Sequence, residues 1–373
     1  MRLIPFIIFF ALFLQSLILW PIAVYSEESQ AGKITKVEGK VTVLRDETKE
    51  IDAIKDMPLY EGDTIITGES GKAWFSLEQG SDFQLAPDTQ IAIDELSSSE
   101  FEDETPTLRL ILGYLWSKLR KIRSNSNNLE IHTPTAVIGI RGTEFDTVVS
   151  LDTSTVIAVD EGSVQVDSLD EKHVLQKDKM VQIDADIKKV SPVAAIPKAK
   201  RDWNAWQKER AQRLYLNLPK ISQRLRDRFQ IMADGSIKFM SRLKTEEMKV
   251  DRAIRKFRTA KDSKSRKAKR QALDQLKTQV DRYKKLAGDF RKKYNRVKVI
   301  GKSVNHLREF LSKNRDKFSD KDLDTIDSNF EIIDRNLKKM RSSYRQAIQE
   351  IRKTFRKLKK VRQEINKNSS SPN

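Results

Sequence analysis

No cysteine occurs among the 373 residues, so neither a disulfide framework nor a lipid-modified cysteine is open to this chain, and the fold must hold by packing alone. Histidine is nearly as scarce, with His132, His173 and His306 in separate segments. Without a thiolate or clustered histidines, neither a zinc site nor a cysteine nucleophile is expected, and no cofactor is. Glycine numbers 13, and Gly39, Gly62 and Gly68 are too scattered to form the loop that cradles phosphates ahead of a Lys-Ser/Thr pair. Proline is missing from Lys220 to Ser371, which leaves that stretch free to run as helix. Together these absences argue against an enzyme.

What is present splits in two, and the length suits two domains of ordinary size. Met1-Arg2 is followed by a mostly apolar run from Leu3 to Val24, and Val24-Tyr25-Ser26 precedes Glu27-Glu28. A charged start, an apolar middle and a small-residue exit form an export signal over residues 1–26, with the mature chain beginning at Glu27. The run is long enough to span a bilayer as an uncleaved anchor, but Pro5, Gln15, Ser16 and Pro21 interrupt it. Residues 1–196 hold 19 Lys and Arg against 32 Asp and Glu, a net of −13; residues 197–373 hold 52 against 21, a net of +31. An acidic half is joined to a basic one, which marks a domain boundary and points to an anionic partner for the second half.

The acidic half reads as all-β. Short period-two segments recur at Ile34 to Val37, Val41 to Leu44, Trp74 to Leu77, Phe83 to Leu85, Ile91 to Ile93, Leu108 to Leu112, Thr155 to Val159, Val164 to Val166 and Val181 to Ile183. Glu38-Gly39, Glu78-Gln79-Gly80 and Glu161-Gly162 are expected hairpin turns. About a dozen strands imply a sandwich, a roll or a short solenoid. Ser97 to Pro106 is an acidic surface loop. Leu110 to Arg123 pairs Tyr114 and Trp116 with basic residues; aromatic residues at strand spacing read as packed rather than as a ligand-facing strip.

The stretch from Leu129 to Val149, L-E-I-H-T-P-T-A-V-I-G-I-R-G-T-E-F-D-T-V-V, is where the half is organised. Pro134 breaks one extended run, and Gly139 and Gly142 bracket Ile140 and Arg141, giving a strand, a bend and a strand. Thirteen residues, Thr133 to Phe145, resemble the signature of the FecR domain, a T-P-T-A-V-x-G-V-R-G-T-E-F-like block, with Ile140 in place of valine. Leu59 to Gly68 resembles the family's G-D-x-I-x-T-G element, Gly80 to Ile91 its G-S-x-x-x-L-x-P-x-T-x-I element, and Thr155 to Val166 its closing V-x-E-G-x-V-x-V hairpin; Leu110 to Arg123 corresponds to its L-x-x-G-x-l-x-x-k-v strand. The resemblance covers roughly residues 34–183. It implies a β domain that binds other proteins, with Gly139, Arg141, Gly142, Thr143 and Phe145 as signature residues. Arg141 is expected to pack at the bend with its guanidinium tied to carbonyls or a carboxylate. Family members have a cytoplasmic segment that regulates a sigma factor, one membrane helix and a periplasmic domain; only Met1 and Arg2 precede the apolar run here, so iron regulation is not carried over.

The basic half reads as long helices. Asp184 to Arg201, with prolines at 192 and 197, is the expected linker. Asp202 suits a cap for a helix opening at Trp203. Breaks at Asp234-Gly235, Lys261 to Ser263 and Lys313 to Ser319 give four helical stretches over residues 202–367, followed by a disordered tail at 368–373. Apolar steps of three and four run from Leu323 through Ile326, Phe330 and Ile333 to Ile365, and a second seam runs from Leu273 to Leu311 with a slip at Ile300. The expected form is an elongated antiparallel bundle with coiled-coil seams, through which the chain could oligomerise. Asp320, Asp322, Asp324 and Glu331 fall at calcium-loop spacing, but Thr325 stands where such a loop needs glycine, and Ser319 followed by Asp322 reads as a helix start.

Two functions follow as expectations. One is an exported, non-enzymatic FecR-like binding or signalling module with a protein partner in the periplasm or envelope. The other is an envelope structural protein whose basic helices, through Lys264, Arg266, Lys267, Lys269 and Arg270, bind anionic polymer or lipid headgroups; export removes nucleic acid as a partner.

Overall fold

The structure, a computed structural model, describes residues 30–77, 80–94, 106–120, 129–168, 171–184 and 192–369. The expected export signal, most of the acidic loop and residues 370–373 of the expected tail lie outside the described residues. Nine strands lead to the middle of the β unit: β1 (Gln30–Glu38), β2 (Val41–Arg45), β3 (Lys49–Asp52), β4 (Pro58–Tyr60), β5 (Thr64–Thr67), β6 (Lys72–Leu77), β7 (Ser81–Leu85), β8 (Gln90–Ile93) and β9 (Thr107–Leu119). Eight follow: β10 (Leu129–His132), β11 (Ala136–Ile140), β12 (Glu144–Val149), β13 (Thr155–Glu161), β14 (Ser163–Ser168), β15 (Lys172–Gln176), β16 (Lys179–Ile183) and β17 (Val193–Ala194). Three helices complete the chain: α1 (Trp203–Lys261), α2 (Arg266–Lys313) and α3 (Asp320–Ser369).

Pairing resolves the strands into two layers that meet in β9. One layer, here sheet A, runs β4-β1-β6-β7-β9-β12-β13-β16-β17. The other, sheet B, runs β3-β2-β5-β8-β9-β10-β11-β14-β15. Its N-terminal half pairs with β8 and β10, its C-terminal half with β7 and β12, so β9 is the central strand of both. Between the layers lies an apolar core that includes Ile34, Leu59, Ile65, Phe83, Leu110 and Phe145. Two of the expected hairpins are corners instead. Gly39 (φ 65°) joins β1 of sheet A to β2 of sheet B, and Gly162 (φ 80°) joins β13 to β14 in the same way. A single left-handed residue turns the chain from one layer into the other, where a hairpin would have kept it in its own sheet. Gly80 does close the β6–β7 hairpin.

The helical half has three helices, not four. Asp202 caps α1 as expected, its Oδ1 accepting from Ala205 N at 2.9 Å. The helix then runs through Asp234-Gly235 unbroken. Glycine in a helix interior costs about 1 kcal/mol, but Phe229, Ala233, Ser236 and Phe239 on either side are buried in the bundle and keep the helix intact. A Cβ on Gly235 would meet nothing within 4 Å. Gly235→Ala is therefore expected to raise stability by about 0.5–1 kcal/mol, read as a shift of the urea midpoint at constant slope. The start of α1 stacks on the end of α2 (Tyr215 to Phe310, 5.1 Å between centroids), while the start of α2 meets the end of α3 (Tyr283 to Phe355, 5.9 Å), so the helices run up, down and up. Asp320, Asp322, Asp324 and Glu331 sit on the continuous helix α3, and Asp322 N donates to Ser319 Oγ at 3.2 Å in a helix start.

The halves are packed on each other. Residues 192–201, expected as a free linker, lie on sheet A: β17 extends its edge, and Arg201, with a side chain 4% exposed, bonds Asp146 and Asp160 at 2.8 and 2.7 Å. Arg210 of α1 holds Asp152 and Asp184, each at 2.8 Å. The outer face of sheet B is covered by α2, where Arg291 meets Asp94 at 2.7 Å, Lys292 meets Glu130 at 2.6 Å and Ser303 donates to Ile111 O at 3.3 Å.

His132 is fully buried in this interface. Its Nε2 lies 3.3 Å from Glu130 Oε2 and its Nδ1 has no partner among the described residues, the pattern of a neutral ring donating from Nε2. Burial lowers its pKa below the ordinary 6.5, against the opposing pull of Glu130 and Asp94; Lys292 lowers it further. His306, half-buried with a ring nitrogen 2.7 Å from Gln90 Oε1, is also lowered by burial, with Glu309 opposing and Lys302 adding to the shift. A group whose folded pKa lies below its unfolded one contributes stability that is whole above the unfolded value and is lost as pH falls. The urea midpoint is thus expected to fall from pH 7 to pH 5, and the double variant His132→Gln, His306→Gln to flatten that fall. An equally steep fall in the variant would assign it to the carboxylates.

Candidate functional site at the signature corner

The signature block threads both layers. Thr133, Pro134 and Thr135 make the turn from β10 to β11, closed by Thr133 N donating to Ala136 O at 2.8 Å and by Ala136 N donating to Thr133 Oγ1 at 3.0 Å. Thr135 Oγ1 donates to Thr155 Oγ1 at 2.6 Å, and Arg228 of α1 donates to Pro134 O at 2.9 Å. The block next crosses from sheet B to sheet A through Arg141, Gly142 and Thr143. Gly142 supplies the left-handed φ of 63° at this corner; Gly139 lies within β11, between Glu130 and Gln165. Thr143 Oγ1 donates to Ser163 O at 2.8 Å, Leu119 N donates to Thr143 O at 3.0 Å, and Phe145 is buried in the core. The neighbouring corner at Gly162 packs so closely that a Cβ there would lie 2.7 Å from Gly142 O. The two crossings brace each other.

Arg141 departs from its expected place. Within Thr133 to Phe145 it alone is exposed; Val137 and Glu144 are half-buried and the other residues are buried. Among the described residues its guanidinium has no hydrogen bond or ion pair, and the backbone contacts at the corner are made by Gly142 and Thr143.

Beside the corner opens a cleft of about 710 Å³ between Glu144, Asp160, Glu161, the Lys177-Asp178 turn and the segment from Ala195 to Arg201. Its floor is a lattice of fixed charges. Lys198 Nζ lies 2.8 Å from Glu144 Oε1, and Lys118 holds the other oxygen at 3.1 Å. The hydrogen bond from Lys198 keeps the Glu144 carboxyl below its usual range, and Glu144 and Asp160 hold the Lys198 ammonium above its usual range although burial works the other way. Tyr114 and Trp116 turn their polar tips into this lattice, to Asp146 at 2.8 Å and Glu144 at 3.3 Å. Both are half-buried with their polar tips satisfied, as packed aromatic residues.

The five basic residues lie elsewhere. Lys264 is in the turn between α1 and α2, and Arg266, Lys267, Lys269 and Arg270 are in the first turns of α2, all exposed. The signature corner and this cluster belong to different parts of the molecule. The Asp94–Arg291–Asn295–Arg109 group between sheet B and α2 has no counterpart among the expected residues. Its members stand as much as 201 positions apart, and isolated charges at that separation carry no pattern.

Residues 63–165 match the family model described as FecR protein. No curated protein matches the sequence. Among solved structures, two crystal structures of a candidate anti-sigma factor from Parabacteroides distasonis are similar, each at 14% identity and a TM-score of 0.31, over 35% of this chain and 59% of that one. A chain described as a cell surface anchoring domain aligns at 31% identity and a TM-score of 0.16, over 17% of this chain and 82% of that one.

Proposed function

We propose, for a chain that carries a FecR domain over residues 63–165, that it is an exported, non-enzymatic binding and signalling module of the cell envelope, whose β domain engages a protein partner at the signature corner. The observation that carries this reading is the exposure of Arg141 in a block whose other residues are buried or half-buried. An exposed arginine that makes no hydrogen bond among the described residues offers its five fixed donors to a partner, and arginine is favoured at the centre of protein interfaces. Four of the charged groups in the adjoining cleft, Glu144, Asp160, Lys198 and Arg201, are locked in pairs, which suits recognition better than proton transfer. The apolar seams along α2 and α3 support coiled-coil packing within the bundle, where both stripes pack chiefly against α1 and Phe290 meets both Phe239 and Tyr344 at 5.5 Å.

Deleting residues 197–373 is a poor test, because it would strip Arg201, Arg210 and Arg291 from the acidic groups they hold. Arg141→Ala is the better one. Exposed substitutions change stability by no more than about 0.5 kcal/mol, so the variant is expected to melt with the parent while its yield of crosslinked envelope protein falls about tenfold, in line with a hot-spot loss of some 1.4 kcal/mol. A lowered melting point would return Arg141 to a structural role.

A further inference from the structure

The opposite charges of the two halves cancel only where the halves touch. Arg201, Arg210, Arg291, Lys292 and Lys298 each meet an acidic residue of the β unit. Farther along the helices that supply ends. Lys267 is 24 residues up α2 from Arg291, roughly 36 Å at 1.5 Å per residue, several times the screening length of about 8–10 Å. The acidic sheets therefore cannot neutralise the far end of the bundle.

That end gathers charge from all three helices. Arg258 of α1 pairs with Glu364 of α3 at 2.8 Å, and Lys357 of α3 with Asp251 of α1 at 3.1 Å, so the end of α3 lies beside the end of α1 and the start of α2. Residues 249–270 hold 11 Lys and Arg against two acidic residues, and residues 352–366 hold seven against one. Lys264, Arg266, Lys267, Lys269 and Arg270 form the cap, and none has an ion pair among the described residues. On α1, Arg252, Arg255 and Lys256 line an open groove of about 430 Å³ with Thr259, Ala260 and Ser263. On α3, Arg356, Lys359, Lys360 and Arg362 are exposed.

We infer that this distal end is a binding surface for a linear anionic polysaccharide of the cell envelope, an inference that rests on the export proposed above. A polymer fits better than a membrane for two reasons. The cations lie on several sides of the bundle and spread along α1 from Arg252 to Lys261, about 14 Å of axis, which exceeds the depth over which one flat anionic surface acts. Between Lys249 and Asn366 no large hydrophobic side chain is exposed among the described residues, and the nearest one in sequence, Met248, is isolated, so there is no apolar face to enter a bilayer, as interfacial helices require. A flexible chain of carboxylates can follow the groove and wrap the cap, with many weak contacts and no single essential one.

Polygalacturonate, with neutral dextran as control, is the probe, used with the full chain. Binding to the first and not the second is expected, weakening about tenfold or more between 50 and 200 mM salt as released counterions are restored. Replacing Lys264, Arg266, Lys267, Lys269 and Arg270 with glutamine should weaken it about tenfold more, whereas glutamine at Lys338, Lys339, Arg341 and Arg345, exposed midway along α3, should change it less than about twofold. Equal loss in both variants, no loss in the first, or equal binding to dextran overturns the inference. So does sedimentation with vesicles containing phosphatidylglycerol that polygalacturonate cannot displace. Export is tested separately by cell fractionation, so loss of cap-dependent binding in an exported chain counts against the polymer alone, and a chain retained in the cytoplasm counts against export.

Discussion

Arg291→Ala is expected to cost about 3–5 kcal/mol, the range for breaking a buried ion pair from one side, and to loosen α2 from sheet B. Arg291 Nε lies 2.7 Å from Asp94 Oδ2, with the side chains 5% and 2% exposed. Asn295 Nδ2 donates to the same oxygen at 2.9 Å, and Arg109 Nη1 donates to Asn295 Oδ1 at 3.3 Å, so the pair is one link in a chain from the sheet to the helix. Removing the guanidinium leaves a carboxylate in an apolar seam between Ala92, Ile111 and Val299, where an under-compensated charge is far more costly than the intact pair is stabilising. The double variant Asp94→Leu, Arg291→Leu is expected to recover part of the loss, because it removes the charge together with its partner. Urea unfolding of the three proteins decides the matter: a loss below about 1 kcal/mol in Arg291→Ala would mean that water reaches Asp94 and that the interface is not dry.

The sequence disclosed what is local or periodic. All nine period-two segments fall within strands, because alternation reports which face of a strand is buried whatever its neighbours are. The apolar steps of α3 are buried from Ile326 to Val361 for the same reason. What stayed hidden depends on pairing across the chain. Nothing in Glu38-Gly39 or Glu161-Gly162 distinguishes a hairpin from a corner, since both need a left-handed residue and differ only in where the next strand finds its partner. The slip at Ile300 was a visible trace of the docked sheet. There α2 has two buried stripes, one toward the bundle through Val297 and Val304 and another toward sheet B through Val299 and Ser303, and a helix covered on two sides cannot keep a single seam. The signature residues were legible through the family pattern, but the pattern carries no information on exposure. Arg141 could be placed at a corner and not inside or outside it.

Gly113→Ala is expected to be the most damaging single-methyl change in the β unit, at about 2–5 kcal/mol. β9 stays in sheet B up to Leu112 and in sheet A from Gly113 onward, so the whole passage of the central strand between layers falls on one residue. Gly113 makes it with φ 100°, a conformation that costs an L side chain about 1–2 kcal/mol. An added Cβ would also stand 2.3 Å from Thr89 Oγ1 and 2.4 Å from Thr89 Cα. Thr89 cannot withdraw: its N–H donates to Thr67 Oγ1 at 2.8 Å, and its hydroxyl accepts from Tyr114 N at 3.0 Å. Relief must come from moving β8 against β9, and overpacking of a rigid core costs about 1–3 kcal/mol more. Since both sheets hang on β9, the damage should appear in both, as faster amide exchange in β8 and β10 and equally in β7 and β12. Exchange confined to the β8 side would show that the layers fold independently of the crossing, and a melting point within about 2 °C of the parent would show that β9 turns between them without needing glycine.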